Sequence, residues 1–162
     1  MDSFSKLLGS ALVAILGATC AAAQTSQVGT FDKTAVAVAF YRSQVWTDVL
    51  KQKQVEMEQA RKANDTRKVE ELEHWGSTSQ ELAHKQVMGE AGIANILEAL
   101  GPALPEIAAK ARVAIIVSDL AYADKTIQTV DVTDIFLDWL KADGQTRKII
   151  RELPKTAHPP SR

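Results

Sequence analysis

Residues 113–141 read VAIIVSDLAYADKTIQTVDVTDIFLDWLK, and this stretch decides the fold. Val113-Ala114-Ile115-Ile116-Val117 is an unbroken apolar run of strand length, bounded by Arg112 before it and Ser118-Asp119 after it. Such a run predicts a buried strand at the centre of a sheet. Residues 121–123 and 127–130 are further strand candidates, with Asp124-Lys125 as the turn between them. Asp131-Val132-Thr133-Asp134 opens a helix: Asp131 or Thr133 caps it, and early acids suit the positive end of the helix dipole. Ile135, Phe136, Trp139 and Leu140 form its apolar face.

A second strand candidate lies far upstream. Residues 28–32 (VGTFD) alternate Val28, Thr30 and Asp32 with Gly29 and Phe31, and the Ala/Val-rich residues 33–40 turn off it as a helix. Between these two blocks the period is helical. Trp46, Leu50, Lys53, Met57, Ala60 and Asn64 fall at alternating spacings of four and three, and Val45 and Val49 widen the stripe. Asn64-Asp65-Thr66 interrupts the pattern with turn and cap residues. The return arm follows, with Val69, Leu72, Leu82 and Val87 on one side. Two helices of roughly 20 residues would each be about 30 Å long at 1.5 Å per residue. Trp75-Gly76-Ser77 is a competing turn, but Asn64-Asp65 gives arms of matched length. Gly76 then reads as a weak point or close-contact site in the return arm. Gly89 and Gly92 end the hairpin. Residues 93–100 and 105–111 form a further helix or helix pair, broken at Gly101-Pro102, and Pro105 can sit in the first turn of its own helix. Ile149, Ile150 and Leu153 mark one more short helix.

The expected fold class is therefore α+β: a small sheet body over residues 28–43 and 89–153, with an inserted antiparallel, coiled-coil-like helical hairpin over residues 44–88. Phe31, Ile115, Val117, Ile135 and Phe136 are the expected core or subunit contacts.

Before the body, residues 1–23 read as an export signal. Lys6 gives the positive start, residues 7–16 are largely apolar, and Ala21-Ala22-Ala23 is the small-residue cleavage pattern. The run is too short for a bilayer span, which takes about 20 apolar residues. A lipoprotein with Cys20 acylated is the weaker reading, because Gly17-Ala18-Thr19 fits a lipobox poorly. Cleavage after Ala23 removes Cys20, the one cysteine of the chain, and a thiol-free product suits an oxidising compartment such as the periplasm. Residues 154–162, with three prolines, read as a disordered tail.

Composition narrows the function. The chain has 162 residues, 19 Lys plus Arg against 20 Asp plus Glu, and a formal net charge of −1. That balance argues against a dedicated nucleic-acid binder. One cysteine excludes an internal disulfide and a multi-cysteine zinc site. His74 and His84 stand ten residues apart on one arm, too far to share a metal, and His158 is in the tail. Asp119, Asp124, Asp131 and Asp134 match no calcium loop and read as turn and cap residues. Ser77-Thr78-Ser79 lacks a nucleophile elbow, and Gly89-x-x-Gly92 lacks the Lys-Ser/Thr of a phosphate loop. No catalytic residue, cofactor or metal is expected.

The order of these blocks resembles the Skp/OmpH family of periplasmic chaperones. The likeness rests on an export signal, an N-terminal strand block ending in Asp (residues 28–32), a helical hairpin, and the block at 113–141 closing with Asp-Val-Thr-Asp. It implies a non-enzymatic, ATP-independent holdase, with a β body that forms a homotrimer and helical tentacles that enclose unfolded envelope or outer-membrane proteins. It implies no cofactor. The tentacles of the family are longer and commonly basic, whereas residues 44–88 here carry seven basic and eight acidic side chains. Such arms would enclose less and attract acidic clients less. Trp46, Met57, Trp75 and Leu82 are the expected client-binding residues. The competing reading is an envelope structural or assembly protein whose hairpin binds one dedicated partner; an enzyme accessory subunit is a more distant one.

Overall fold

The computed structural model describes residues 27–153. The expected export signal, Cys20 and the proline tail lie outside the described residues. Strand β1 (Gln27–Thr30) is the centre of the sheet, flanked by β2 (Ile115–Val117) and β3 (Gln128–Asp131). Both neighbours run parallel to it, with Gly29 opposite Ile116 on one side and Val130 on the other. The two sequence-distant strand blocks thus meet in one layer.

Parallel pairing explains why residues 121–123 are not a strand. A chain leaving the end of β2 must return to the start of β3 before it can run the same way. Residues 118–127 make that return, with Asp124 Oδ1 accepting from the Thr126 amide at 2.9 Å. The same topology corrects the expectation for 113–117. β2 is an edge strand, not the centre: Ile116 packs against the core, whereas Ile115 is 56 % exposed and Val117 half-buried. Alternation along a strand sends 115 and 117 to the face opposite 116. Gly29 fits tightly at the centre: a Cβ there would sit 3.1 Å from both Val113 Cγ2 and Val132 Cγ1, so those side chains would have to shift.

β1 stops at Thr30, two residues before the expected end. Phe31 turns into the core and stacks on Phe136 with ring centroids 4.8 Å apart. Asp32 becomes the cap of helix α1 (Lys33–Tyr41), its Oδ1 accepting from the amides of Thr34 and Ala35. Residues 34–40 of α1 are all buried, which is how Val36 and Val38 are held in a helix despite their branching. Ser43 then separates α1 from α2 (Gln44–Lys62); its hydroxyl donates to the Phe40 carbonyl at 2.6 Å.

Helix α3 (Thr66–Val87) returns after a three-residue turn in which Asn64 takes the left-handed conformation, φ 55°. Asp65 caps α3 through the Lys68 amide at 3.0 Å. The turn is therefore at Asn64-Asp65. Gly76 lies inside α3, and Ser77 donates back to the His74 carbonyl at 2.9 Å rather than capping a new helix. A Cβ on Gly76 would meet nothing within 4 Å, so the expected close contact is absent among the described residues. Contacts between the two halves run in opposite order, from Tyr41–Gln86 at the root through Lys53–Trp75 to Arg61–Glu73 near the tip.

The remaining helices close the body: α4 (Ala94–Ala99), a 3-10 turn at Gly101–Ala103, α5 (Leu104–Ala111), α6 (Thr133–Trp139) and α7 (Gly144–Glu152). Phe31, Val36, Ile96, Leu100, Ile107 and Phe136 are the centre of the core. Ile135 is half-buried and packs against it. Val132, not Asp131 or Thr133, holds the N-cap position of α6, and Asp131 Oδ1 accepts from the first helical amide, that of Thr133, at 2.8 Å. The Thr133 hydroxyl accepts from the Asp32 amide at 2.9 Å, and the Val132 amide donates to the Thr30 carbonyl at 2.8 Å. The Asp-Val-Thr-Asp motif stitches the ends of β1 and β3 together.

Candidate functional site

The arm formed by α2 and α3 leaves apolar side chains in reach of solvent. Among its helical residues only Ala60, Leu72 and Gln86 are buried. On one flank the two helices part to leave an open groove of about 330 Å³. Leu50, Met57, Leu72 and Trp75 give it an apolar floor, and Lys53 and Arg61 stand on its rim. Gly76 lines it too, without a side chain to fill it.

Of the residues singled out in the sequence, Met57 and Trp75 share this groove. Trp46 stands behind it, its ring 6.1 Å from that of Trp75 and 5.8 Å from that of Phe40, so it ties the arm to the core. Leu82 is 37 % exposed on α3 but does not line the groove. Leu50, Lys53 and Leu72 were visible as members of the helical stripes, whereas Arg61 and Gly76 carry no signal in spacing that would mark them as groove residues.

At the root of the arm lies a polar cluster the sequence did not point to. Gln86 is fully buried. Its Oε1 accepts from the Tyr41 hydroxyl at 2.6 Å, and its Nε2 donates to the Gly92 carbonyl and to Asn95 Oδ1, each at 2.6 Å. Burial pushes the Tyr41 hydroxyl above its ordinary value, while the Asn95 side chain pulls the other way. These bonds fix α3 to the segment that follows it, where Gly89 takes φ 76°.

The arm's charges are largely paired within each helix. Lys53–Glu56, Lys68–Glu71 and Lys85–Glu81 lie at 2.8, 2.7 and 2.6 Å. Hydrogen bonds from the lysines hold Glu56 and Glu81 below the usual carboxylate range, and bonds to Glu71 and Glu81 raise Lys68 and Lys85. All are at the surface, where such pairs add little stability.

Elsewhere the aspartates singled out in the sequence have structural partners. Asp124 holds Thr126, Asp131 accepts from the Thr133 amide, and Asp134 meets Arg147 at 3.2 Å. Asp119 lies 3.9 Å from Lys33. Among the described residues no three His, Cys, Asp or Glu side chains are grouped to hold a metal ion. A smaller cleft of about 150 Å³ between α5 and α6 is lined by Ile107, Ile135 and Trp139 and bordered by Lys110 and Asp138, 3.5 Å apart. Among the described residues no helix is long and apolar enough to cross a membrane. Comparisons with protein-family models, with curated proteins and with solved structures found no match to this chain.

Proposed function

We propose that this chain is an exported, ATP-independent holdase of the Skp/OmpH kind, which grips unfolded envelope or outer-membrane proteins with its arm. The observation that carries the reading is the open apolar groove on a two-helix arm that buries almost nothing of itself. Full burial of one Leu, Met or aromatic side chain is worth roughly 1.5–3 kcal/mol. A groove offering a few such contacts holds a client weakly enough to release it without an energy source. In this reading the body joins copies into a homotrimer through the open edges of β2 and β3, since unpaired strand edges invite pairing. Residues 1–23 act as the cleaved export signal, which delivers the chain to the periplasm.

A dedicated-partner role is the second reading, favoured by arm charges that are already paired within their own helices. Aggregation assays separate the two. Light scattering of a denatured barrel protein, and of a second, unrelated denatured protein, is followed with the purified chain at near-stoichiometric ratio. The holdase suppresses both. Suppression of neither, or of one alone, rejects general holding and leaves the dedicated partner.

A further inference from the structure

We infer that Asn64, at the tip of the arm, is an acceptor site for an asparagine-linked sugar. The inference goes beyond the holdase reading and does not rest on it.

The tip reads Asn64-Asp65-Thr66. An asparagine followed two residues later by Ser or Thr, with no proline between, is the tripeptide that asparagine-linked glycosylation requires. The chain has two asparagines, and the other lacks the pattern, since Ile96 and Leu97 follow Asn95. The structure separates the pair in the same way. Asn95 Oδ1 accepts from the buried Gln86 at 2.6 Å. Asn64 is exposed, and its side chain makes no hydrogen bond among the described residues.

The fold accounts for two residues of the tripeptide and leaves the third without a task. Asn64 takes φ 55°, a conformation asparagine tolerates better than most residues with a Cβ. Asp65 caps α3 through the Lys68 amide at 3.0 Å. Thr66 is the first residue of α3, where the cap is already supplied and a β-branched residue is a modest helix former. It is exposed, and its hydroxyl has no hydrogen-bond partner among the described residues. That hydroxyl is the group the tripeptide needs. The Thr66 amide donates to the Asn64 carbonyl at 3.1 Å, which bends the tripeptide into a tight inverse turn at Asp65, φ −82° and ψ 81°.

Position suits a bulky, solvated group. The tip is a whole helix away from the root on either side, 19 residues along α2 and 22 along α3. The turn is held by short-range bonds, from the Asn64 amide to Arg61 and from the Asp65 amide to Ala60. A transferase can draw it out without touching the core. The chemistry is one substitution at the anomeric carbon of a phosphate-activated sugar. Asn64 Nδ2 bonds to C1, the bond from C1 to the phosphate oxygen breaks, and its electron pair leaves with the phosphate. The amide gives one proton to a base of the transferase. Lipid-linked and nucleotide-linked sugars both present that bond.

The test begins with the full protein isolated from the cells that make it, digested with trypsin and weighed. The peptide of residues 63–67 is expected to carry the added mass of a sugar on Asn64, and the peptide holding Asn95 is not. Unmodified protein is then given transferases that read the bare tripeptide, with a lipid-linked oligosaccharide in one arm and a nucleotide-activated hexose in the other. Transfer to Asn64 is expected in at least one arm, and that arm identifies the donor. Asn64→Gln and Thr66→Ala are each expected to lose transfer and Thr66→Ser to keep it, with circular dichroism unchanged in all three. A native peptide without added mass, transfer in neither arm, transfer that survives Thr66→Ala, or sugar on any other residue overturns the inference. The two proposals fail separately: a protein that protects no client can still carry the sugar, and an unmodified Asn64 leaves the aggregation assay as it was.

Discussion

Helix α1 and the arm helices are built on opposite principles. In α1 every residue from 34 to 40 is buried, and the helix is held by what surrounds it. In α2 and α3 three residues are buried, and beyond the root, where Val45, Trp46 and Val87 pack on the core, the helices depend on each other and on their own caps and ion pairs. Caps and surface pairs each contribute about a kilocalorie or less. The body should therefore melt as one cooperative unit, while the arm opens locally at smaller cost.

The largest blow to this contrast comes from the core. Phe136→Ala removes the ring stacked on Phe31 and is expected to cost about 3–5 kcal/mol, read as a lower urea midpoint. Far-ultraviolet dichroism should show the whole fold lost together rather than the arm alone. Gln86→Ala strikes the junction between the two regions. It removes a fully buried side chain and its bonds to the Tyr41 hydroxyl, the Asn95 side chain and the Gly92 carbonyl, and the cost is expected to be about 1–3 kcal/mol. Hydrogen exchange should rise through α3 while α1 stays protected; equal loss in both would merge the two regions into one. The smallest effect sharpens the picture at the body's far end. Asp143 caps α7 through the Thr146 amide at 2.7 Å, and that bond with the Thr146 hydroxyl and nearby Arg42 holds its carboxyl below the usual range. A depressed carboxyl adds stability above the unfolded value, about pH 4, and loses it as pH falls further. Asp143→Asn should therefore be slightly less stable near neutral pH, and its melting curve should converge with the parent's on acidification.

Much of the fold could be read from residue order because local chemistry and final structure agree. Asn64 and Asp65 break one helical pattern and cap the next, and the turn is there. The apolar run at 113–117 does end in a strand, Ile115–Val117. Its place at the edge could not be read, because an unbroken apolar run fits a central strand and an edge strand with one exposed residue equally well. Strand direction was equally silent: nothing within 118–127 says whether it is a hairpin or a return path. Asp32 looked like the end of a strand because a capping aspartate and a strand-ending aspartate are the same residue before packing is known. At the site, Met57 and Trp75 were visible as large apolar side chains on a thin arm. Gln86 was not, since a polar residue in a surface helix is ordinary until its burial and its three partners are seen. Gly76 was read as a break or a crowded point, but the structure gives it neither role.

The central position of β1 also sets the order in which the molecule can be assembled. Its Asp32 amide is bonded to Thr133, 101 residues later. A chain emerging residue by residue can coil α2 against α3 early, since those contacts are near in sequence. The sheet has to wait until almost everything has been synthesised, so the projecting arm exists before the platform that carries it.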